Sequence, residues 1–98
     1  MEAIVCIRTI EVAPENEEAF YKWIEENRPL RQRMGCLMER VLKPSDGHGP
    51  TLMLTMWKSH EVFDAWIKTP EHAAVSSSPG HALCRWQPIK RYDIAAGY

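Results

Sequence analysis

The stretch TLMLTMWKSHEVFDAWIK, Thr51 to Lys68, changes its hydrophobic period part-way along. From Thr51 to Trp57 apolar residues stand on both parities, Leu52, Leu54 and Met56 on one, Met53 and Trp57 on the other. That is the pattern of a central strand covered on both faces. Ser59 is a natural helix N-cap, and beyond it Val62, Phe63, Trp66 and Ile67 recur at helical spacing. Thr69-Pro70 interrupts this helix and starts a short second one, Thr69 as N-cap and Pro70 at the first position, through Glu71 to Val75.

Upstream, Pro44 to Pro50 is a run of turn formers joining this strand to Cys36–Lys43, where Leu37, Glu39 and Val41 alternate with Met38, Arg40 and Leu42. The two form a hairpin. Earlier still, Ala19, Phe20, Trp23, Ile24 and Leu30 recur at three- and four-residue spacing, with Glu17, Glu18, Lys22, Glu25 and Glu26 opposite. This is an amphipathic helix that Pro29 divides near its end and Gly35 stops. Ala3 to Val12 is β-prone on both parities and reads as another strand buried on both faces. Downstream, Ser76 to Gly80 is a loop by composition, and Cys84 to Ala96 closes the chain as a strand, with Pro88 allowing an edge position or a bulge.

The resulting order, β-α-β-β-α-β, predicts an α+β, ferredoxin-like antiparallel sheet with helices on one face, residues 1–98 forming one domain. Helices on one face leave the apolar second faces of the first and third strands bare. A second copy of the chain is the simplest cover, so a homodimer is expected.

Twelve Lys and Arg against thirteen Asp and Glu, net charge −1, leave no electrostatic footprint for nucleic acid or an anionic membrane. No apolar run approaches the roughly 20 residues of a membrane helix, and Met1-Glu2 leads into a strand without a basic signal region. A soluble, cytoplasmic protein is expected. Cys6, Cys36 and Cys84 are odd in number and widely spaced, which points to buried free thiols rather than a disulfide framework or a zinc site.

Nucleophile-elbow, phosphate-loop, HExxH and RNA-binding signatures are all absent from the sequence. What stands out is aromatic: Trp23, Trp57, Trp66 and Trp86, with Phe20 and Phe63 beside two of them. Large rings suit a pocket for a small planar hydrophobic ligand, although any single Trp is more often core than ligand contact. Among the histidines, His48 in the hairpin loop and His60 at a helix start are expected to be solvated. His72 lies near the N-terminus of the short helix, where the dipole favours the neutral imidazole that acts as a base or coordinates iron. His81 is the second choice.

Leu54 to Lys68 resembles the strand-to-helix signature of the antibiotic biosynthesis monooxygenase superfamily, in which W-x-S precedes an x-x-F-x-x-W helix. The early strand ending near Pro14, the Met34-Gly35-Cys36 step and the ending Lys90-Arg91-Tyr92-Asp93-Ile94 extend the likeness over nearly the whole chain. The resemblance implies a dimeric α/β barrel with one pocket per subunit. Members include cofactor-free oxygenases of aromatic polyketides and quinols, and haem-degrading enzymes of the IsdG type, which Trp57–Lys68 and Tyr92-Asp93-Ile94 resemble most.

Carried over residue by residue, the family's pocket Trp falls on Trp66 and its first-strand Asn at Ile7, beside Arg8, which matches an Arg of some members. Its iron-binding His falls on Ser76. The Asn and the proximal His are therefore missing at the matching positions, and Ile7 cannot donate the amide hydrogen bond that organises bound oxygen. His72, four residues before Ser76, is rotated from it by only about 40° on a continuous helix. Three functions follow, in this order: a monooxygenase acting on a flat hydrophobic or aromatic substrate, one version of which needs no cofactor, a haem-binding or haem-degrading protein, and a non-catalytic dimeric binding module. In the first, Trp66, Trp57 and Phe63 shape the pocket, Arg8 polarises a substrate oxygen and His72 is the base. In the second, His72 or His81 holds iron.

Overall fold

The computed structural model describes residues 2–97. The elements are β1 (Ile4–Val12), α1 (Glu17–Glu26), α2 (Arg28–Arg33), β2 (Cys36–Leu42), β3 (Thr51–Trp57), α3 (His60–Ile67), α4 (Pro70–Ser76), β4 (Cys84–Trp86) and β5 (Lys90–Asp93). All strand pairs are antiparallel, in the order β2-β3-β1-β4, with β5 also paired to β1. This is the expected α+β, ferredoxin-like arrangement.

The closing strand is two strands rather than one. Ile10 pairs with Trp86 and Ile7 with Lys90, so three steps along β1 face four along the partner. The extra residue is a bulge centred on Gln87-Pro88-Ile89, where Pro88 has no N–H to give to the ladder. The division of the first helix likewise follows the sequence, with α1 ending at Glu26 and Pro29 in the first turn of α2.

Gly35 ends α2 with φ +107, and a Cβ there would collide with Val62 of α3. Its carbonyl accepts from Lys58 N–H at 3.1 Å, which ties the end of α2 to the start of α3. Ser59 Oγ accepts from Val62 N–H at 3.1 Å and Thr69 Oγ1 from His72 N–H at 3.0 Å, so both expected N-caps are made.

Burial is one-sided. Ile4, Cys6 and Ile10 of β1 and Met53 and Trp57 of β3 are buried against Phe20, Trp23 and Ile24 of α1 and Phe63 and Trp66 of α3. On the other face Val5 pairs with Met56 and Ile7 with Leu54, all four only half-buried. The expectation that β1 and β3 are buried on both faces is thus met on the helix side alone within one chain. Two further positions depart from the helical stripes: Ala19 is exposed, and Ile67 is 39% exposed because it is turned about 100° away from Trp66.

Candidate functional site

Between the inner sheet face and the helices lies a cleft of about 110 Å³. Its floor is strand side chains of a single parity: Cys6 and Arg8 from β1, Met53, Thr55 and Trp57 from β3, and Glu39 from β2. Its walls come from α3, α4 and the segment before β5. All eight residues singled out from sequence, Ile7, Arg8, Trp57, Phe63, Trp66, His72, Ser76 and His81, border this one cleft.

One wall is a ladder of rings. Trp57 and Trp66 lie nearly parallel with centroids 5.9 Å apart, Phe63 meets Trp57 edge-on at 5.2 Å, and His72 meets Trp66 edge-on at 5.2 Å. Trp86 also borders the cleft, with His81 stacked on it at 4.8 Å and the Arg8 guanidinium 5.0 Å from its centroid. Trp23 Nε1–H donates to Ser78 Oγ at 3.0 Å, Trp86 Nε1–H to the His81 carbonyl at 2.9 Å, and Trp57 Nε1–H to Thr55 Oγ1 at 3.0 Å. Among the described residues the Trp66 indole N–H has no such partner.

His72 and His81 are the two imidazoles that border the cleft. Neither imidazole makes a hydrogen bond among the described residues. Burial, then the charge of Arg31, lowers the His72 pKa below 6.5. Burial, then Arg8 and His72, lowers that of His81. Both are therefore neutral at pH 7. Neutral imidazole at His72 was expected from the helix dipole, but the cause is burial and a nearby guanidinium. His72 and Ser76 share α4 and both border the cleft, in keeping with a four-residue step.

Arg8 donates through Nε to the Gln87 carbonyl at 2.7 Å, and burial is the main influence lowering its pKa. Ile7 borders the cleft between Cys6 and Arg8, yet its pairing with Leu54 assigns its side chain to the outer face. Cys6 and Arg8 share the floor's strand parity, and Ile7 borders the cleft between them on the opposite parity.

Sequence reasoning missed the most buried charges. Arg31 Nη1 meets Glu39 Oε1 at 3.1 Å on the border of the cleft. Burial holds the Glu39 carboxyl above its ordinary 4.5, with Arg31 pulling the other way. The signal was present: Phe20, Trp23, Ile24, Asn27 and Arg31 continue a single helical stripe across the Pro29 break, placing Arg31 on the apolar face.

His60 lies apart from the cleft, at a half-exposed site where Nε2 meets Asp93 Oδ1 at 2.7 Å and Arg91 bridges to Asp64 at 2.6 Å. It is paired rather than merely solvated. His48 is exposed, as expected. The three cysteines are free and buried, and burial pushes the Cys36 and Cys84 thiols up to about 11. No cluster of three metal-ligating side chains occurs among the described residues, and no helix is long and apolar enough to cross a membrane.

A family model described as antibiotic biosynthesis monooxygenase matches residues 3–77, from β1 through α4. The chain belongs to that family. The haem degrader MhuD of Mycobacterium tuberculosis, solved with two haems in its active site, is 22% identical over 97% of this chain and 98% of that one, TM-score 0.75. A conserved protein of Methanosarcina mazei is 21% identical over 95% and 93%, TM-score 0.73. A protein of Chloroflexus aurantiacus put forward as an antibiotic biosynthesis monooxygenase is 17% identical over 99% and 97%, TM-score 0.70. At such identities the likeness shows the fold. No curated protein matches the sequence. In this monooxygenase family member the matched segment holds both ring-bearing helices of the Trp57–Trp66 wall and His72, while Trp86 and His81 lie beyond it.

Proposed function

We propose that this chain is a cofactor-independent monooxygenase that oxidises a flat aromatic substrate with O₂ in the cleft between sheet and helices, as a homodimer. The observation that carries the reading is His72: a neutral imidazole with both ring nitrogens free, held edge-on against Trp66 inside an aromatic cleft. A neutral imidazole accepts the proton of an acidic phenol or enol, which makes the substrate electron-rich enough to reduce O₂ itself. Arg8 hydrogen-bonds the substrate oxygen on which charge develops. The electrons come from the substrate: a ring-flanked methylene loses its two hydrogens and gains one oxygen as a carbonyl, and the other oxygen leaves as water. The homodimer is supported by the row of half-buried apolar residues on the outer sheet face.

The donor set favours this over haem. His72 offers one axial nitrogen, but Ile7 and Ser76 do not add the amide and imidazole that haem chemistry needs. Haem does not fit these residues, and no step is routed through it.

The test is oxygen uptake with planar quinols or anthrones in the presence of a chelator. Uptake is expected, abolished by Trp66→Ala and reduced in His72→Ala with loss of the acid limb of the pH profile. If no planar phenol supports uptake, the non-catalytic binding module takes its place.

A further inference from the structure

The ionisable groups bordering the aromatic cleft are Cys6, Arg8, Arg31, Glu39, His72 and His81. Arg31 and Glu39 cancel as an ion pair. Cys6 stays a thiol because burial raises its pKa, and both imidazoles stay neutral at pH 7. One charge is left over, the guanidinium of Arg8.

No carboxylate answers it. The nearest acid along β1 is Glu11, which has the opposite strand parity and whose nearest cation is Arg85, at 3.7 Å. The Arg8 Nε is taken by the Gln87 carbonyl, and neither Nη group has a partner among the described residues. A guanidinium fixed through Nε, with its central carbon 5.0 Å from the Trp86 centroid, keeps its remaining N–H donors as a planar fork, the geometry that pairs with a carboxylate or another oxyanion. The Trp66 indole N–H, without a partner among the described residues, adds a donor to the lining. The cleft thus offers a net positive charge and spare donors to whatever enters.

We infer that the substrate is an anion: a flat aromatic carrying a carboxylate or an ionised hydroxyl, whose oxyanion seats on the free edge of Arg8 while its rings lie in the cleft that Trp66 and Trp86 border. This deepens the oxygenase reading and rests on it for the identity of the site. A substrate that stays neutral would leave the guanidinium without a counter-charge in a partly desolvated cleft, a loss that an anionic one avoids.

The test is calorimetric titration of the full chain with naphthoate and with naphthamide, which share a ring system and differ in charge. Naphthoate is expected to bind about tenfold tighter or better, less so as ionic strength rises. Arg8→Gln is expected to bring naphthoate to the affinity of naphthamide, and Arg8→Lys, which keeps charge and packing stem without the fork, to fall between. Equal binding of the two probes to the wild type would overturn the inference while leaving the aromatic cleft standing as a site. A preference that survives in Arg8→Gln would remove Arg8 as its source and also overturn it. If neither probe binds, the inference falls together with the oxygenase reading.

Discussion

The guanidinium of Arg31 and the carboxylate of Glu39 meet at 3.1 Å with side chains only 10% and 13% exposed, in the wall between the aromatic cleft and a polar groove along α1, α2 and β2. Arg31 also lies over Trp23, 5.6 Å from its centroid, and its Nη1 reaches the Ile24 carbonyl at 3.4 Å. Desolvation opposes both charges, so the pair is a device that defines the cleft wall more than a source of net stability.

Removing one partner exposes that balance. Glu39→Ala leaves a buried guanidinium unpaired and is expected to lower unfolding free energy by about 3 kcal/mol in urea denaturation. The double variant Arg31→Met with Glu39→Leu is expected to be more stable than Glu39→Ala alone. A double variant less stable than the single would mean that the pair contributes more than its desolvation removes.

The histidines set an acid limit. His72 and His81 have folded pKa values below 6.5, so the unfolded chain takes up protons that the folded chain refuses. Their contribution is fully present above pH 6.5 and is lost as pH falls through the folded values. Tm should therefore be flat above about pH 7 and fall below pH 6.5, with a shallower fall in His72→Asn and His81→Asn. Glu39, with its raised pKa, acts in the opposite sense, and Glu39→Gln separates the two contributions.

Gly80 is a packing glycine. Its backbone is ordinary, φ −63, yet a Cβ there would overlap the Trp23 ring. Gly80→Ala is expected to cost about 1–3 kcal/mol by overpacking and to shift Trp emission. Gly47→Ala, with φ +77 and open space around it, is expected to cost about 1 kcal/mol without an emission change. Equal costs would mean that the 76–81 loop moves aside freely.

The outer sheet face should carry the dimer. Leu54 sits opposite Ile7 on β1 and Arg40 on β2, in the middle of that face. Leu54→Glu is expected to halve the mass measured by light scattering, with secondary structure kept. A wild type that is already monomeric would remove the dimer from the proposed function.

Haem gives a direct check on the donor set of the cleft. Titration followed by absorbance is expected to show no sharp Soret shift, because Ile7 and Ser76 supply neither the amide nor the imidazole that haem chemistry uses. A tight shift abolished by His72→Ala, but not by His81→Ala, would instead transfer the site to haem.

How much of this was legible in the residues can be seen element by element. The change of period at Ser59, the caps Ser59 and Thr69 and the turn run Pro44–Pro50 are local signals, and each was realised where it stood. The cleft lining was legible because Trp57, Phe63, Trp66, His72 and Ser76 lie on three consecutive elements whose periods put them on one side. Arg31–Glu39 was not, since a pair eight residues apart across a helix end and a strand bulge is made only by the hairpin's docking.

The sequence alone determined which segments become strands and helices and which faces are apolar, because periodicity, capping and backbone permissiveness act within a few residues. Tertiary structure decided everything that depends on distance through space. It split the closing strand at Pro88, turned Ile7 outward and Arg8 inward, and paired Arg31 with Glu39 while leaving Arg8 without a counter-charge. Charge balance and desolvation exist only once separate segments meet, and they are what give this cleft its chemistry.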